Sequence, residues 1–284
     1  MLIDAHNHPN WWGHNATKTL KNMDDNGIDK MWLLSWECPQ QDYMPSTNAH
    51  LPIGNVAVPF EDVLQVGREA PDRFVMGYIP HPKRPDAIDR LRAAVDIHGV
   101  RVAGELKVRL QFDDPDSIRL YQVCGELGLP VTIHLQYPGS GTRGYPWPNW
   151  WYGGSIEALE RAIVACPDTI FIGHAQGFWA NVSGDGKAEQ EDYPKGPVVP
   201  GGKTVEMMRK YDTLYADLSA GSAMGAISRD PEFGKGFLIE FQDRLLFARD
   251  QFHMELMDFL KGLELPEEAF EKIAYKNAKG LVGD

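Results

Sequence analysis

Eight short runs of β-branched or apolar residues, separated by longer amphipathic stretches, set the limits on what this chain can fold into. The runs are Leu2 to His6, Lys30 to Ser35, Phe74 to Ile79, Val100 to Val108, Val131 to Leu135, Thr169 to His174, Thr213 to Leu218 and Arg244 to Ala248. Helical periodicity lies between them, at Ala16 to Asn26, Glu61 to Ala70, Ala87 to Ile97, Ser117 to Leu127, Ile156 to Ala165, Thr204 to Lys210 and Lys235 to Phe241. Strands that alternate with helices make a parallel sheet with crossover connections. Gly128-Leu129-Pro130 stops one helix just before a strand. Eight such units fit a closed (β/α)8 barrel better than an open doubly wound sheet. Barrels of this kind run to about 250 residues as one domain, so residues 1–284 are expected to form one unit.

Composition narrows the partners. A hydrophobic content of 43% with 24% charged residues suits a packed globular core. The formal charge of −12 repels nucleic-acid phosphates and leaves small molecules as the expected partners. No apolar stretch approaches the length of a membrane span, and no basic leader precedes the first strand, so no membrane partner and a cytoplasmic location are expected. Cys38, Cys124 and Cys166 are odd in number and widely spaced, which indicates core packing rather than disulfides or a zinc-cysteine site.

The chemistry gathers at strand ends. The first run closes on His6-Asn7-His8-Pro9. Residues i and i+2 of a strand share a face, so His6 and His8 can present two imidazoles to one ion. Pro9 has no N–H to continue the ladder. His134 ends the fifth run, His174 ends the sixth, and Asp250 follows the eighth. Each has an ordinary reading alone, as a hydrogen-bonded rim histidine or a helix cap. Together they fall at the end of the barrel where active sites are built.

Three further features border that end. Glu105, Lys107 and Arg109 alternate along the fourth run and are expected to share one face, with Glu105 and Lys107 either forming an internal salt bridge or serving a metal. An insertion from Gln136 to Gly154 carries Tyr137, Tyr145, Trp147, Trp150, Trp151 and Tyr152, either to stack on substrate or to pack a subunit interface. Trp147 and Trp151 are its substrate-binding candidates. A second insertion, Gln176 to Gly202, has acidic residues and Gly-rich ends and is expected to be a mobile lid.

This pattern resembles the amidohydrolase superfamily, in its amidohydrolase-2 branch with the aminocarboxymuconate-semialdehyde-decarboxylase-like enzymes. The resemblance runs from His6-Asn7-His8 to a closing Ile273-Ala274-Tyr275-Lys276-Asn277-Ala278 segment. A barrel strand starting at residue 2 leaves no room for the additional β-sandwich of many cyclic-amide hydrolases. The resemblance implies His6, His8, His134 and Asp250 as metal ligands and His174 as acid/base or carbonyl-polarising group. Asp250 is also implied to take a proton from the attacking water. Glu105, or Lys107 after carboxylation, is implied as a bridge to a second ion.

The nitrogen and oxygen donor set suits zinc first, and also manganese, iron or cobalt. Where the family has a Gly-Ser-Asp-like turn this chain has Ala248-Arg249-Asp250, and Arg249 is expected either to bind a substrate carboxylate or to pair on the surface. The implied activity is hydrolysis of a small ester, lactone or amide by a metal-bound hydroxide. The alternative is non-oxidative decarboxylation, with Arg109, Arg143 and Arg249 as carboxylate clamps. A non-enzymatic barrel holding a structural metal with four protein ligands is the third class. A homodimer is compatible with the family and with the aromatic insertion.

Overall fold

The computed structural model describes residues 1–37, 39, 50–138 and 150–283. Its strands are β1 (Ile3–Asn7), β2 (Lys30–Leu34), β3 (Phe74–Gly77), β4 (Ala103–Leu106), β5 (Val131–His134), β6 (Phe171–His174), β7 (Leu214–Asp217) and β8 (Leu245–Leu246). All pair in parallel, in the orders β1-β2-β3 and β4-β5-β6-β7-β8. The two arcs meet where Gly77 bridges Val102, with Tyr78 N donating to Val102 O at 2.9 Å. They close where Ala5 N donates to Phe247 O at 2.9 Å and Asp250 N to His6 O at 2.9 Å. The result is a (β/α)8 barrel.

Helices start where the sequence caps them. Ser155 accepts from Ala158 N ahead of Ile156–Ala165, and Asp114 accepts from Asp116 N ahead of Pro115–Glu126, whose proline opens the first turn. Helices at Ala175–Ala180, Ala220–Ser228 and Glu255–Gly262 add to those read from periodicity. The second is rich in Gly, Ala and Ser, so it lacks the charged stripe that marks an amphipathic helix. Among the described residues no helix is long and apolar enough to cross a membrane.

Ile3, Ala5, Trp32, Leu34, Val102, Ile172, Leu246 and Ala248 come from five strands or their ends and fill the barrel. Ala278 and Val282 of the C-terminal helix pack against the same cluster. Cys124 and Cys166 are free and buried. Two bulges change the phase of side chains above this plug. Between Asp4 and Asn7 of β1 three steps match two on β2, from Met31 to Leu33. Between Ala103 and Leu106 of β4 three steps match two on β5. Strict alternation from Ile3 and Ala5 would turn Asn7 inward; the bulge turns His6 inward instead. The β4 bulge does the same for Glu105, since Val102 already faces the interior.

Arg249 departs from its expected surface position. It is 2% exposed and lies between β8 and β1, where its Nε donates to Asp4 Oδ2 at 2.8 Å and its backbone N to Asp4 Oδ1 at 2.9 Å. Nη1 donates to Asn22 Oδ1 at 2.9 Å. Removing one partner of a buried pair leaves the other charge uncompensated, at a cost of about 3–5 kcal/mol. Asp4→Ala should therefore lose stability of that order in urea unfolding. A loss under about 1 kcal/mol, the level of an exposed pair, would refute the assignment.

Candidate metal centre

The bulges, strand ends and rim turns converge on one buried cluster. His6, His8, Glu105, His134, His174 and Asp217 are all buried, and Asp250 is partly so. Each imidazole is fixed through its Nδ1. That of His6 donates to Asp217 Oδ2 at 2.8 Å, that of His8 to Leu34 O at 2.7 Å, and that of His134 to Glu105 Oε1 at 2.6 Å. His174 Nδ1 lies 3.0 Å from Asp217 Oδ1 and 2.9 Å from Ser219 Oγ. Anchoring Nδ1 as a donor leaves the Nε2 lone pair for another partner.

Among the described residues, ligand atoms gather in three groups, one of them the hydrogen-bonded set of His6, His174 and Asp217. In the other two, His6, His8 and Asp250 offer ligand atoms within 4.8 Å of one another, and so do Glu105, His134 and His174. Glu105 stands between them. Its Oε2 lies 3.5 Å from His8 Nε2 and 4.0 Å from His6 Nε2, while Oε1 faces His134 and lies 3.5 Å from His174 Nε2. His6 Nε2, His8 Nε2, His134 Nε2 and Asp250 Oδ1 are enclosed without any hydrogen-bond partner. Buried polar atoms are normally partnered, and a cluster of orphaned acceptors at these spacings fits a divalent cation. His134 thus groups with Glu105 and His174 rather than with the other three residues of the implied ligand set.

The electrostatics fit the same use. Burial drives His8 down to about 3, and burial with the nearby Lys107 ammonium drives His134 to about 3, so both are neutral and ready to ligate. Burial is the largest single influence on His6 and opposes its charged form, but the Asp217, Asp250 and Glu105 carboxylates together outweigh it and lift His6 to about 9. Burial works against Glu105 and Asp217 as anions. His134 and Lys107 nevertheless hold Glu105 well below the carboxylate range, and His174 and His6 do the same for Asp217. Burial raises Asp250.

A proton balance follows from the raised His6. Without metal, His6 is an imidazolium at pH 7, because its pKa lies above that pH. Ligation at Nε2 must expel that proton. Metal uptake at pH 7 should release about one proton per ion from this residue, and the release should vanish as pH rises through about 9. Calorimetric titration in buffers of different ionisation enthalpy measures it. A buffer-independent enthalpy at pH 7 would contradict the assignment.

Around the cluster the structure redistributes several residues. The strand ends at Leu106, so the period of two stops before Lys107 and Arg109. Lys107 forms no salt bridge with Glu105; its Nζ stands 4.1 Å over the Trp36 ring. Arg109 is exposed, with its guanidinium 4.8 Å over Trp150 and 5.8 Å over half-buried Trp151. Arg249 is committed to Asp4. Trp147, Tyr145 and Arg143 lie outside the described residues, as does Cys38. Tyr137, Trp150 and Tyr152 turn inward and are buried.

The insertion after β6, expected as a mobile lid, is tied down at both ends. Phe178 and Trp179 are buried in the core, because residues 175–180 continue directly from β6 as a helix. Further on, the Arg229 guanidinium donates to the carbonyls of Pro194, Gly196 and Pro197 and to Asp185.

Asp217 and Ser219 escaped the sequence reading. Asp217 closes β7 at the rim that carries His134 and His174, and one carboxylate serves both His6 and His174. A signal was available, since Asp217 is an acid near the C-terminal end of the seventh apolar run, close to the strand-end placement that selects Asp250.

The family model described as amidohydrolase matches residues 3–283. The chain belongs to this family. Solved structures share the barrel over nearly its full length. A 2,6-dihydroxybenzoate decarboxylase from Rhizobium aligns with a TM-score of 0.64 and 16% identity, covering 99% of this chain and 98% of that one. A probable 2-pyrone-4,6-dicarboxylic acid hydrolase from Acinetobacter baumannii aligns at 0.60 and 13%, covering 100% and 99%. A dihydroxybenzoic acid decarboxylase from Polaromonas sp. JS666, with bound manganese, aligns at 0.61 and 16%, covering 99% and 96%. The comparison with curated proteins gave no match.

Proposed function

We propose that this amidohydrolase-family chain is a metal-dependent hydrolase of a small ester, lactone or amide, with zinc as its ion. The observation that carries the reading is the set of enclosed, unpartnered ligand atoms on His6, His8, His134 and Asp250. His6, His8 and Asp250 would hold one ion with Glu105 at its edge, and Glu105, His134 and His174 offer donors for a second. Such an ion polarises a carbonyl and lowers the pKa of water to about 7.

The chain's own groups do the rest. Asp250, whose carboxyl burial pushes upward, is suited to take the proton of the attacking water. With only the ion at His6, His8 and Asp250 in place, His174, held through Nδ1 by Asp217 and Ser219, protonates the leaving group at the opposite side of the cluster. Asp217 stabilises the imidazolium during that transfer.

Non-oxidative decarboxylation is the second reading, supported by Lys107 and Arg109 as cations near the mouth. It is weakened at Arg249, whose guanidinium is spent on Asp4. The manganese in a similar decarboxylase keeps manganese beside zinc as the ion to test for. Metal content and turnover should be measured together before and after chelation, over a panel of lactones, aryl esters and carboxylic acids. Oxygen-18 from water entering the product supports hydrolysis, CO₂ release supports decarboxylation, and full activity in metal-free protein refutes both.

A further inference from the structure

Asp250 reaches the cluster from an unusual backbone. Its φ of 53° lies in the left-handed region, which is disfavoured for residues with a Cβ and persists only where the surroundings hold it. Two peptide planes flank that Cα. The plane before it is fixed by main chain alone, since Asp250 N donates to His6 O at 2.9 Å and Ala220 N donates to Arg249 O at 3.1 Å. The plane after it is held by a side chain, because Trp11 Nε1 donates to Asp250 O at 2.8 Å.

That bond decides where the carboxylate points. With the preceding plane fixed, a change of φ swings Cβ and the carbonyl carbon together about the N–Cα bond. Anchoring the carbonyl therefore anchors the carboxylate, whose Oδ1 lies 3.5 Å from His8 Nε2. Relaxation toward the right-handed region would turn it away by roughly 110–120°. The same indole also meets His8. It is 5% exposed and packs edge-on against His8 with centroids 5.6 Å apart and against Trp36 at 5.7 Å. The turn that carries it is bent around it, with Asn10 at φ 57° and Trp12 at φ 49° on either side. Asn10 Nδ2 ties that turn to Asp62 Oδ2 at 3.1 Å.

We propose that Trp11 is a positioning residue of the metal centre, whose indole N–H holds Asp250 in the left-handed conformation that places its carboxylate beside His8. Tryptophan suits the task because it joins a broad apolar ring to a single N–H donor. Here the ring packs on one candidate ligand and the N–H fixes the backbone of another. This assignment rests on the reading of His6, His8 and Asp250 as holders of an ion. It extends that reading to a residue that offers the ion no ligand atom.

Zinc alone, titrated into the full chain stripped of metal, measures affinity, and urea unfolding of the same metal-free samples measures stability. Trp11→Phe keeps an apolar ring beside His8 and removes the N–H. It should weaken zinc binding about 10–100-fold, the usual loss when a group that orients a ligand is removed. Trp12→Phe changes the neighbouring ring, which stacks on His50 rather than bonding to Asp250, and should leave zinc affinity unchanged. Asp250→Gly removes the carboxylate and tolerates the left-handed backbone. In that background Trp11→Phe should cost no further zinc affinity, because nothing is left for the indole to orient. If Trp11→Phe does not fold, Trp11→Met carries the comparison. A Trp11→Phe that loses only stability in urea, or a loss of zinc affinity that persists undiminished beside Asp250→Gly, overturns the proposal and leaves the ligand reading standing. An Asp250→Gly that binds zinc as tightly as wild type refutes the ligand reading, and the proposal falls with it.

Discussion

Asp250→Asn should lower kcat by about 10²–10⁴, the range for losing a positioned general base. The backbone makes this substitution unusually clean. Asp250 has φ 53°, in the left-handed region where asparagine is among the few tolerated residues. Its backbone N and O are both engaged, with His6 O and Trp11 Nε1, and asparagine keeps both bonds. The side chain keeps its shape and one oxygen to aim at His8 Nε2, 3.5 Å away in the native chain. The capacity to accept a proton is lost. Metal content must be measured on the same sample, because Asp250 also belongs to the donor group with His6 and His8. Metal retained with kcat reduced supports the role of base. A variant that keeps metal and more than about a tenth of wild-type turnover would fall outside the range for such a base and would sink it.

The legibility of this chain stops where long-range partners begin. Each strand was readable because a barrel strand is apolar on both faces, which leaves a run such as Val131 to Leu135 distinct from its flanks. The candidate ligand histidines were readable as strand-end residues, but the rule used for His6 and His8 was incomplete. Ile3 and Ala5 fill the barrel, so alternation alone would send Asn7 inward, and only the pairing of β1 with β2 reveals the extra residue. Arg249 shows the same limit. Beside Asp250 it reads as a free cation, but its partner Asp4 stands 245 residues earlier in the chain, at a position that looks like ordinary strand. Lys107 is the converse, since alternation with Glu105 suggests an ion pair and the end of β4 prevents it.

Asp217→Asn should weaken metal binding by about 10–100-fold, the usual cost of losing the group that orients a ligand histidine. The hydrogen bonds also say which histidine fails. Asp217 Oδ1 accepts from Ser219 N at 3.2 Å and from Ser219 Oγ at 2.6 Å, and a backbone N–H can only donate. The oxygen of the asparagine amide must therefore occupy the Oδ1 position, which preserves the contact with His174. The amide nitrogen then falls where Oδ2 stood, 2.8 Å from His6 Nδ1. Two donors cannot face each other, so His6 shifts its proton to Nε2 and loses the lone pair aimed at the ion. Metal titration should place Asp217→Asn close to His6→Ala in affinity, and nitrogen NMR of the metal-free variant at pH 7 should show His6 neutral with its proton on Nε2, where wild type carries both ring protons, while the His174 tautomer is kept. Metal affinity within about twofold of wild type would mean that the carboxylate does not orient a ligand, and the ligand assignment of His6 would have to be withdrawn with it.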